Sequence, residues 1–291
     1  MVLWGRCILS GLFFDKNFAL SIGPQRAGAR WIDRYLRGRG DVCLPTHVKE
    51  IFYFDRHFER GPEFYFGHFR YLPQHKIGVE VTTTAFDHPE APARVHQMFR
   101  EGVKLICPLR HPVERSYSLY QHLLRYGIVQ GNLSEAVEQA PQILQGSRYA
   151  QHLERWTRFF PLSSISFLYQ EALEADPAEY VHRLCDALGL PYKPHQQENE
   201  GYNALGVSRF PAFAHRMERV AGFMTRNGLD RSLGLARSLG LWRLVFGLEP
   251  FDVRRLSIPR EDHEWLSSRL IPEVEKLEAL VGGPIMPWRS A

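Results

Sequence analysis

The chain has 291 residues, of which 44% are hydrophobic and 13% aromatic. This apolar content can bury a substantial core, which excludes a disordered, collagen-like or low-complexity protein. The 36 Lys and Arg residues outnumber the 32 Asp and Glu residues, giving a net charge of +4. This excess suits an anionic ligand but is too small to indicate nucleic-acid binding. The length predicts one large domain over residues 1–291, with a lid.

Short apolar runs alternate with amphipathic segments over the first two thirds of the chain. Brief runs rich in branched or aromatic residues predict four buried strands, at 18–22, 76–81, 103–109 and 165–169. Helical spacing of apolar residues predicts helices at 31–37, 92–101, 112–126, 133–139, 148–159 and 177–188. Alternating strands and helices predict an α/β fold with a central parallel sheet. Ligands bind such sheets at the carboxyl ends of the strands, here after Ile22, Val81 and Leu109.

The segment 201–260 has a different composition, with arginines interleaved among apolar residues and no predicted strand. These arginines are Arg209, Arg216, Arg219, Arg226, Arg231, Arg237 and Arg243. We expect helices whose arginines mostly face solvent; the alternative is a lid that brings cations to an anionic ligand. A last helix is predicted at 262–280.

The four cysteines, Cys7, Cys43, Cys107 and Cys185, lie far apart and form no CxxC pair. A metal or redox site built on them is therefore not expected. Apolar neighbours predict that Cys43, Cys107 and Cys185 are buried free thiols, which fits a reducing compartment. The apolar run at 7–14 is shorter than the roughly 18 residues of a membrane span, and we interpret it as an irregular start to the chain, with an interfacial anchor as the alternative.

The first candidate motif is the loop that joins the first strand to the first helix. Gly23 and Gly28 have the spacing of a phosphate-binding loop, and backbone N–H groups at a helix start can bind a phosphate. Ala29 and Arg30 stand where a P-loop has Lys followed by Ser or Thr, so the magnesium-binding hydroxyl is absent. The motif alone fits an ordinary strand-to-helix turn equally well.

The second motif follows the strand predicted at 103–109. Arg110 comes directly after this strand, Pro112 is suited to a first helical turn, and Ser118 lies about two turns into the helix. A guanidinium and a hydroxyl so placed could hold one phosphate from two sides. Glu114 and Arg115 are interpreted as structural ion-pair formers.

The third motif is Lys49-Glu50 followed by an aromatic segment that ends at Asp55. A carboxylate beside apolar rings can serve as a general base, whereas a surface Lys-Glu pair has no chemical role. From these residues alone the surface interpretation is favoured.

Taken in order, the three motifs resemble the sulfotransferases that use 3′-phosphoadenosine-5′-phosphosulfate (PAPS), with most similarity to the heparan sulfate and bacterial glycan branch. The similarity continues through segments 149–156, 160–161, 169–173, 176–177 and 188–191, and reaches 287–289 near the end of the chain. The resemblance implies a P-loop-like three-layer fold, in which a central parallel sheet is flanked by helices and a C-terminal helical segment forms the lid.

The resemblance also implies roles for individual residues. Glu50 matches the family's general base, and Lys49 and Asp55 would lie near the acceptor. Arg110 and Ser118 would bind the 3′-phosphate. The 5′-phosphosulfate would be bound by the loop residues Arg26, Ala27, Gly28, Ala29, Arg30 and Trp31.

Four positions depart from the family pattern. Arg26 replaces the loop lysine that stabilises the departing phosphate, and arginine keeps the charge without the same geometry. Ala29 replaces a threonine. Phe52 stands where the glycan branch often has His, and Val81 where it often has Lys. Because the last two positions belong to acceptor and proton handling, the acceptor could differ from a heparan-type sugar, with Lys49 as a substitute cation.

We therefore predict transfer of a sulfuryl group from PAPS to a hydroxyl, in second place an amine, of a saccharide or other polar metabolite. Glu50 would be the base and Arg26 a catalytic cation, without a metal, a nucleic-acid partner or an integral membrane span. The expected location is the bacterial cytoplasm, or the Golgi lumen for a truncated eukaryotic chain. The alternatives are a P-loop-type kinase and a non-catalytic relative that binds a nucleotide or glycan.

Overall fold

The structure is a computed structural model that describes residues 17–100, 102–194, 204–206, 250–252 and 258–288. Its strands are β1 (Phe18–Ser21), β2 (Val42–Cys43), β3 (Ile77–Val81), β4 (Val103–Leu109), β5 (Ile165–Tyr169), β6 (Ala204–Gly206) and β7 (Pro250–Asp252). Its α helices are α1 (Ala29–Arg39), α2 (Tyr53–Arg56), α3 (Gly61–Phe66), α4 (Ala91–Phe99), α5 (Pro112–Arg125), α6 (Leu133–Gln139), α7 (Gln142–Gln145), α8 (Tyr149–Trp156), α9 (Gln170–Ala175), α10 (Pro177–Leu188) and α11 (Arg260–Val281).

Five parallel strands form the central sheet, in the order β2-β3-β1-β4-β5. Every residue of β1 and of β3 is buried, as is typical of a parallel sheet covered on both faces. At the end of β1, Ser21 pairs with Val81 on one side and Ile106 on the other. The carboxyl ends of β1 and its two neighbours therefore lie side by side at one edge, which confirms the predicted α/β fold.

The chain divides into two compact units. The first comprises Met1–Arg110, Ala150–Gln196 and Val281–Ala291, and it contains the whole five-stranded sheet. The second comprises His111–Tyr149 and Gln197–Leu280. Within the second unit, Leu266 and Leu270 of α11 join a buried cluster made by α5, α6 and α7. This cluster gives the second unit an apolar core of its own.

Two of the four predicted strands, β4 and β5, have the predicted bounds, and the other two differ by one residue at one end. The two-residue strand β2 was not predicted because its run is too short to show a period. Within the predicted helical lid at 201–260, the structure describes an antiparallel pair of short strands, β6 and β7. Their presence corrects the expectation that this segment contains no strand. The arginines predicted at 209–243 lie outside the described residues.

A buried ionic cluster fixes the carboxyl end of α1. The Arg39 guanidinium donates to both carboxylate oxygens of Asp41, at 2.9 and 3.1 Å, and to the Pro191 carbonyl at 2.9 Å. It also donates to the Tyr35 hydroxyl at 2.8 Å and contacts the Cys185 sulfur at 3.2 Å. Because Cys185 belongs to α10, these bonds connect α1 to α10. The loop that opens α1 is thus attached to a fixed helix.

Cys43, Cys107 and Cys185 are buried free thiols, as predicted, whereas Cys7 lies outside the described residues. In the part of the chain that the structure describes, no helix has the length and apolarity needed to cross a membrane.

Candidate active site

The loop after β1 packs tightly against β4. The Ile22 amide donates to the Ile106 carbonyl at 2.8 Å. At Gly23, a Cβ atom would lie 2.3 Å from the Pro108 carbonyl oxygen and 2.5 Å from the Pro108 ring. Only glycine allows this approach, since the obstacle includes backbone. The first predicted glycine therefore sets the path of the loop.

The loop then turns through two left-handed residues before the helix begins. Arg26 has a φ of 72° and Gly28 a φ of 93°, and Gly28 is the N-terminal capping residue of α1. For an arginine this backbone region is uncommon and costs energy, and such residues cluster at functional sites. The loop thus has a fixed, compact path between the sheet and α1.

The first turn of α1 fits an anionic group. N–H groups at a helix start have no acceptor within the helix, and the helix dipole favours negative charge there. Ala29 is buried and Arg30 is exposed. The Trp31 amide, one of the predicted donors, donates to the Gly28 carbonyl at 2.9 Å, and its ring stacks on Tyr35. The side chain of Trp31 therefore has a packing role within α1.

The Glu50 carboxylate is held at the carboxyl end of β3. One oxygen, Oε2, accepts from the Thr83 amide at 3.2 Å and from the Thr83 hydroxyl at 2.6 Å. The other, Oε1, is 3.2 Å from the Lys49 ammonium group. The Glu50 side chain is 13% exposed, so it is largely enclosed yet still reaches the surface. The Lys49 side chain is 37% exposed, so the pair lies at the surface with its carboxylate largely enclosed.

Glu50 and the loop follow neighbouring strands. The Thr82 amide, at the end of β3, donates to the Ser21 carbonyl at the end of β1, at 3.0 Å. Thr83, the next residue, holds Glu50, and the loop starts directly after Ser21. Topology thus brings the first and third motifs to one edge of the sheet.

An aromatic cluster anchors the segment that carries Glu50. Phe54 of α2 packs on Tyr65 of α3, with ring centres 5.4 Å apart. Tyr65 in turn lies 6.2 Å from Phe18 of β1. Phe54, Tyr65 and Phe18 are all buried. Burial of these rings, about 150–250 Å² each, fixes α2 and α3 on the sheet.

Asp55 lies deeper than a typical surface carboxylate. Its Oδ2 accepts from the Thr84 hydroxyl at 2.7 Å and is 3.3 Å from Arg56 Nε. Its side chain is 5% exposed, and Oδ1 is buried without a hydrogen-bond partner. The Asp55 carboxylate is therefore enclosed, and the Thr84 hydroxyl holds one of its oxygens.

Phe52 adopts a left-handed backbone, with a φ of 54°. Its carbonyl accepts from the amides of Arg56 and His57, and the Arg56 guanidinium lies 4.4 Å from the centre of its ring. Val81, the other acceptor-side departure, is fully buried. Neither Phe52 nor Val81 carries a basic side chain. The Lys49 ammonium, 3.2 Å from Glu50, therefore supplies a positive charge beside the proposed base.

Sequence reasoning missed Glu80, a fully buried residue of β3. Burial raises the pKa of its carboxyl to about 8, and the negative charges of Glu50 and Asp55 add to this effect. Its Oε1 accepts from the Ile51 amide at 3.2 Å. The available signal was a glutamate within an otherwise apolar strand, because glutamate is almost never fully buried.

Arg110 and Ser118 are placed as expected along the chain. Arg110 directly follows β4 in the first unit and is partly buried. Ser118 is buried in α5 of the second unit. Their joint binding of one phosphate remains a prediction. Within the described residues, no group of three or more His, Cys, Asp or Glu side chains could hold a metal ion.

Residues 18–203, which include the loop, Glu50, Arg110 and Ser118, match the family model described as "Sulfotransferase domain". The chain belongs to this family. A sulfotransferase of known structure from Alicyclobacillus acidocaldarius aligns with 94% of this chain and 98% of its own, with a TM-score of 0.67 and 18% sequence identity. This similarity shows the shared fold.

Curated relatives of this sulfotransferase domain include heparan sulfate enzymes. The mouse protein "Heparan sulfate glucosamine 3-O-sulfotransferase 6" is 34% identical over 186 residues, or 59% of this chain and 52% of the relative. The Caenorhabditis elegans "Bifunctional heparan sulfate N-deacetylase/N-sulfotransferase 1" is 25% identical over 192 residues, or 60% and 22%. The chain thus spans about half the length of the 3-O-sulfotransferase it matches.

Proposed function

We propose that this protein transfers a sulfuryl group from PAPS to a hydroxyl of a saccharide or other polar metabolite, with Glu50 as general base. The observation that carries the proposal is the position of Glu50. Thr83 holds its carboxylate at the carboxyl end of β3, beside the loop that follows β1. A base next to an anion-binding loop is the arrangement that in-line transfer between two oxygens requires.

The donor would bind along the carboxyl edge of the sheet. The loop from Arg26 to Arg30 offers two guanidinium groups and the N–H groups of a helix start, which suit the 5′-phosphosulfate. Arg110 and Ser118 would bind the 3′-phosphate. Arg26 takes the place of the family lysine, and its left-handed backbone fixes the direction in which the side chain leaves the loop.

In the proposed reaction Glu50 takes the proton of the acceptor hydroxyl while that oxygen attacks sulfur. The bond between sulfur and the bridging phosphate oxygen breaks, and adenosine 3′,5′-bisphosphate leaves with the bond's electron pair. Negative charge grows on the bridging oxygen, where Arg26, Arg30 and the loop N–H groups would stabilise it. Proton abstraction by a placed base typically contributes about 10²–10⁴-fold.

The choice of a hydroxyl acceptor rests on the sequence identity of this chain to its two kinds of curated relative. The relative named a 3-O-sulfotransferase is 34% identical, whereas the one named an N-sulfotransferase is 25% identical. Lys49 would contact an anionic group of the acceptor beside the base. Phe52 and Val81 imply an acceptor that differs from heparan sulfate in detail.

The first experiment is calorimetric titration with adenosine 3′,5′-bisphosphate, with magnesium ATP as the comparison. We expect micromolar binding of the bisphosphate that Arg110→Ala abolishes. Preference for magnesium ATP would instead support the kinase alternative.

The second experiment measures transfer from PAPS to N-sulfated heparan oligosaccharides and to a panel of hydroxylated metabolites. Glu50→Gln should lower kcat by about 10²–10⁴-fold and leave bisphosphate affinity unchanged. Glu59→Gln, an exposed change in the same segment, is the matched control and should retain full activity. Tight bisphosphate binding without transfer to any acceptor would point to the non-catalytic alternative.

A further inference from the structure

The carboxyl end of β3 holds the residues Glu50 and Ile51, called the base segment below, at two points. Thr83 binds the Glu50 carboxylate, and the Glu80 carboxyl accepts from the amide of Ile51, the residue directly after the base. Glu80 and Thr83 are three positions apart on one short stretch of chain. The peptide that follows Glu50 and its carboxylate are therefore both fixed by the same strand end.

The surroundings of Glu80 favour a neutral carboxyl. The side chain is completely buried. The groups that face it are the carboxylates of Glu50 and Asp55 and the buried phenol of Tyr65 on α3. Burial and two nearby negative charges both oppose ionisation of a carboxyl. A neutral carboxyl still accepts from the Ile51 amide through its carbonyl oxygen.

We propose that Glu80 is a positioning residue that holds the Ile51 amide and so fixes the orientation of Glu50 toward the acceptor. This inference rests on the proposed role of Glu50 as the base. Ionised Glu80 places a third negative charge beside Glu50 and Asp55 inside the core. The Ile51 and Tyr65 hydrogen bonds favour the ionised form, but burial and this repulsion outweigh them, so the segment around Ile51 shifts to admit water and the base loses its alignment. Activity consequently falls as the pH rises past about 8, where Glu80 ionises.

Two variants distinguish the effect of the Glu80 oxygen that accepts from the Ile51 amide from the effect of Glu80 ionisation. Glu80→Gln keeps an oxygen that accepts from the Ile51 amide and cannot ionise, whereas Glu80→Leu keeps the bulk without the acceptor. We expect Glu80→Leu to lower kcat at pH 7 by about 10- to 100-fold, the scale of a misplaced catalytic group, with the KM for PAPS unchanged. Glu80→Gln should retain kcat and lose the alkaline fall in rate seen in the unmodified protein.

Val79→Ala provides the control for general weakening of β3. Val79 is fully buried one residue away and has no bond to the base segment. It should lower stability and leave kcat and its pH profile unchanged. Full activity of Glu80→Leu, or an alkaline fall that persists in Glu80→Gln, would overturn the proposal. So would a loss of kcat in Val79→Ala as large as that in Glu80→Leu.

Amide hydrogen exchange at Ile51 tests the positioning independently of turnover. Exchange should be slow in the unmodified protein and in Glu80→Gln, and faster in Glu80→Leu. If the unmodified protein transfers no sulfuryl group, the proposed function fails while this exchange pattern still decides the role of Glu80. Equal exchange in all three proteins would overturn it.

Discussion

At the residue scale, Gly23 illustrates how the absence of one side chain determines the path of the loop between β1 and α1. Gly23→Ala would place a Cβ atom 2.3 Å from the Pro108 carbonyl oxygen, and backbone on both sides must move to relieve the clash. We expect a loss of about 2–3 kcal/mol in the free energy of unfolding, the range of an overpacked core. Bisphosphate affinity should fall as well, because the loop is displaced. Urea unfolding and calorimetry measure the two effects.

Gly38→Ala is the matched control within the same strand-loop-helix unit. Gly38 lies in α1, and a Cβ atom there meets nothing within 4 Å. Alanine at this exposed helical position should stabilise the protein by about 0.5–1 kcal/mol and leave bisphosphate binding unchanged. If Gly23→Ala behaved like this control, the tight approach to Pro108 would have no energetic importance.

Residue types and spacing identified the loop and Glu50 as candidates, because both motifs are short and contiguous. They could not predict Thr83 or Glu80, since the contacts of these residues with Glu50 and Ile51 span about thirty positions. Glu50 itself was assigned to the surface until the resemblance to sulfotransferases was considered. Its enclosure depends on the sheet order, which a local pattern does not contain.

At the element scale, periodicity predicted the long elements and failed for the short ones. Helices α6 and α10 have the predicted bounds, since a capping residue precedes each of them. The short helices α2 and α3 were not predicted because their aromatic residues show no helical spacing. Tertiary packing of these rings stabilises both helices where local propensity does not.

Arg115 tests how the elements of the second unit are joined. Its buried guanidinium on α5 donates to the carbonyls of Gln142 and Ile143 at 3.2 and 3.1 Å, and to the Ser147 hydroxyl at 3.1 Å. These contacts give Arg115 a structural role in the second unit. Arg115→Met would remove a buried charged donor from all three acceptors, of which the Gln142 carbonyl keeps the Gly146 amide and the Ser147 hydroxyl keeps Ser116.

We expect Arg115→Met to reduce the free energy of unfolding by about 3 kcal/mol, and Arg115→Lys to restore little, because the lysine side chain is shorter and its ammonium is more strongly hydrated. The control is Arg260→Met on α11, whose side chain is 90% exposed, and it should cost less than about 1 kcal/mol. Equal unfolding midpoints in urea for Arg115→Met and Arg260→Met would contradict this role.

At the scale of the whole molecule, alternating strands and helices predicted the parallel sheet but not its strand order. The order β2-β3-β1-β4-β5 places β1 between β3 and β4, and this position brings the loop, Glu50 and Glu80 together. The order depends on contacts between segments sixty or more residues apart, such as Ser21 with Val81 and Ile106. A single sequence does not reveal such pairings.

Burial of Glu80 also makes the stability of the folded chain depend on pH. The pKa of Glu80 rises from 4.5, its ordinary value, to about 8 in the folded protein, chiefly because the carboxyl is buried. Between these values the folded state retains a proton that the unfolded state has lost, so the contribution of Glu80 to stability is greatest below pH 4.5 and falls as the pH rises. The slope is about 1.4 kcal/mol per pH unit and ends near pH 8.

Glu80→Gln removes this titration, so its stability relative to the unmodified protein should increase with pH. We expect the advantage of the variant to be about 3 kcal/mol larger at pH 7 than at pH 4.5, since the interval spans 2.5 units. Urea unfolding of both proteins at pH 5, 6, 7 and 8 measures the difference. A difference that stays constant across this range would mean that Glu80 ionises at its ordinary pKa in the folded protein, and that the Ile51 amide is held by a carboxylate.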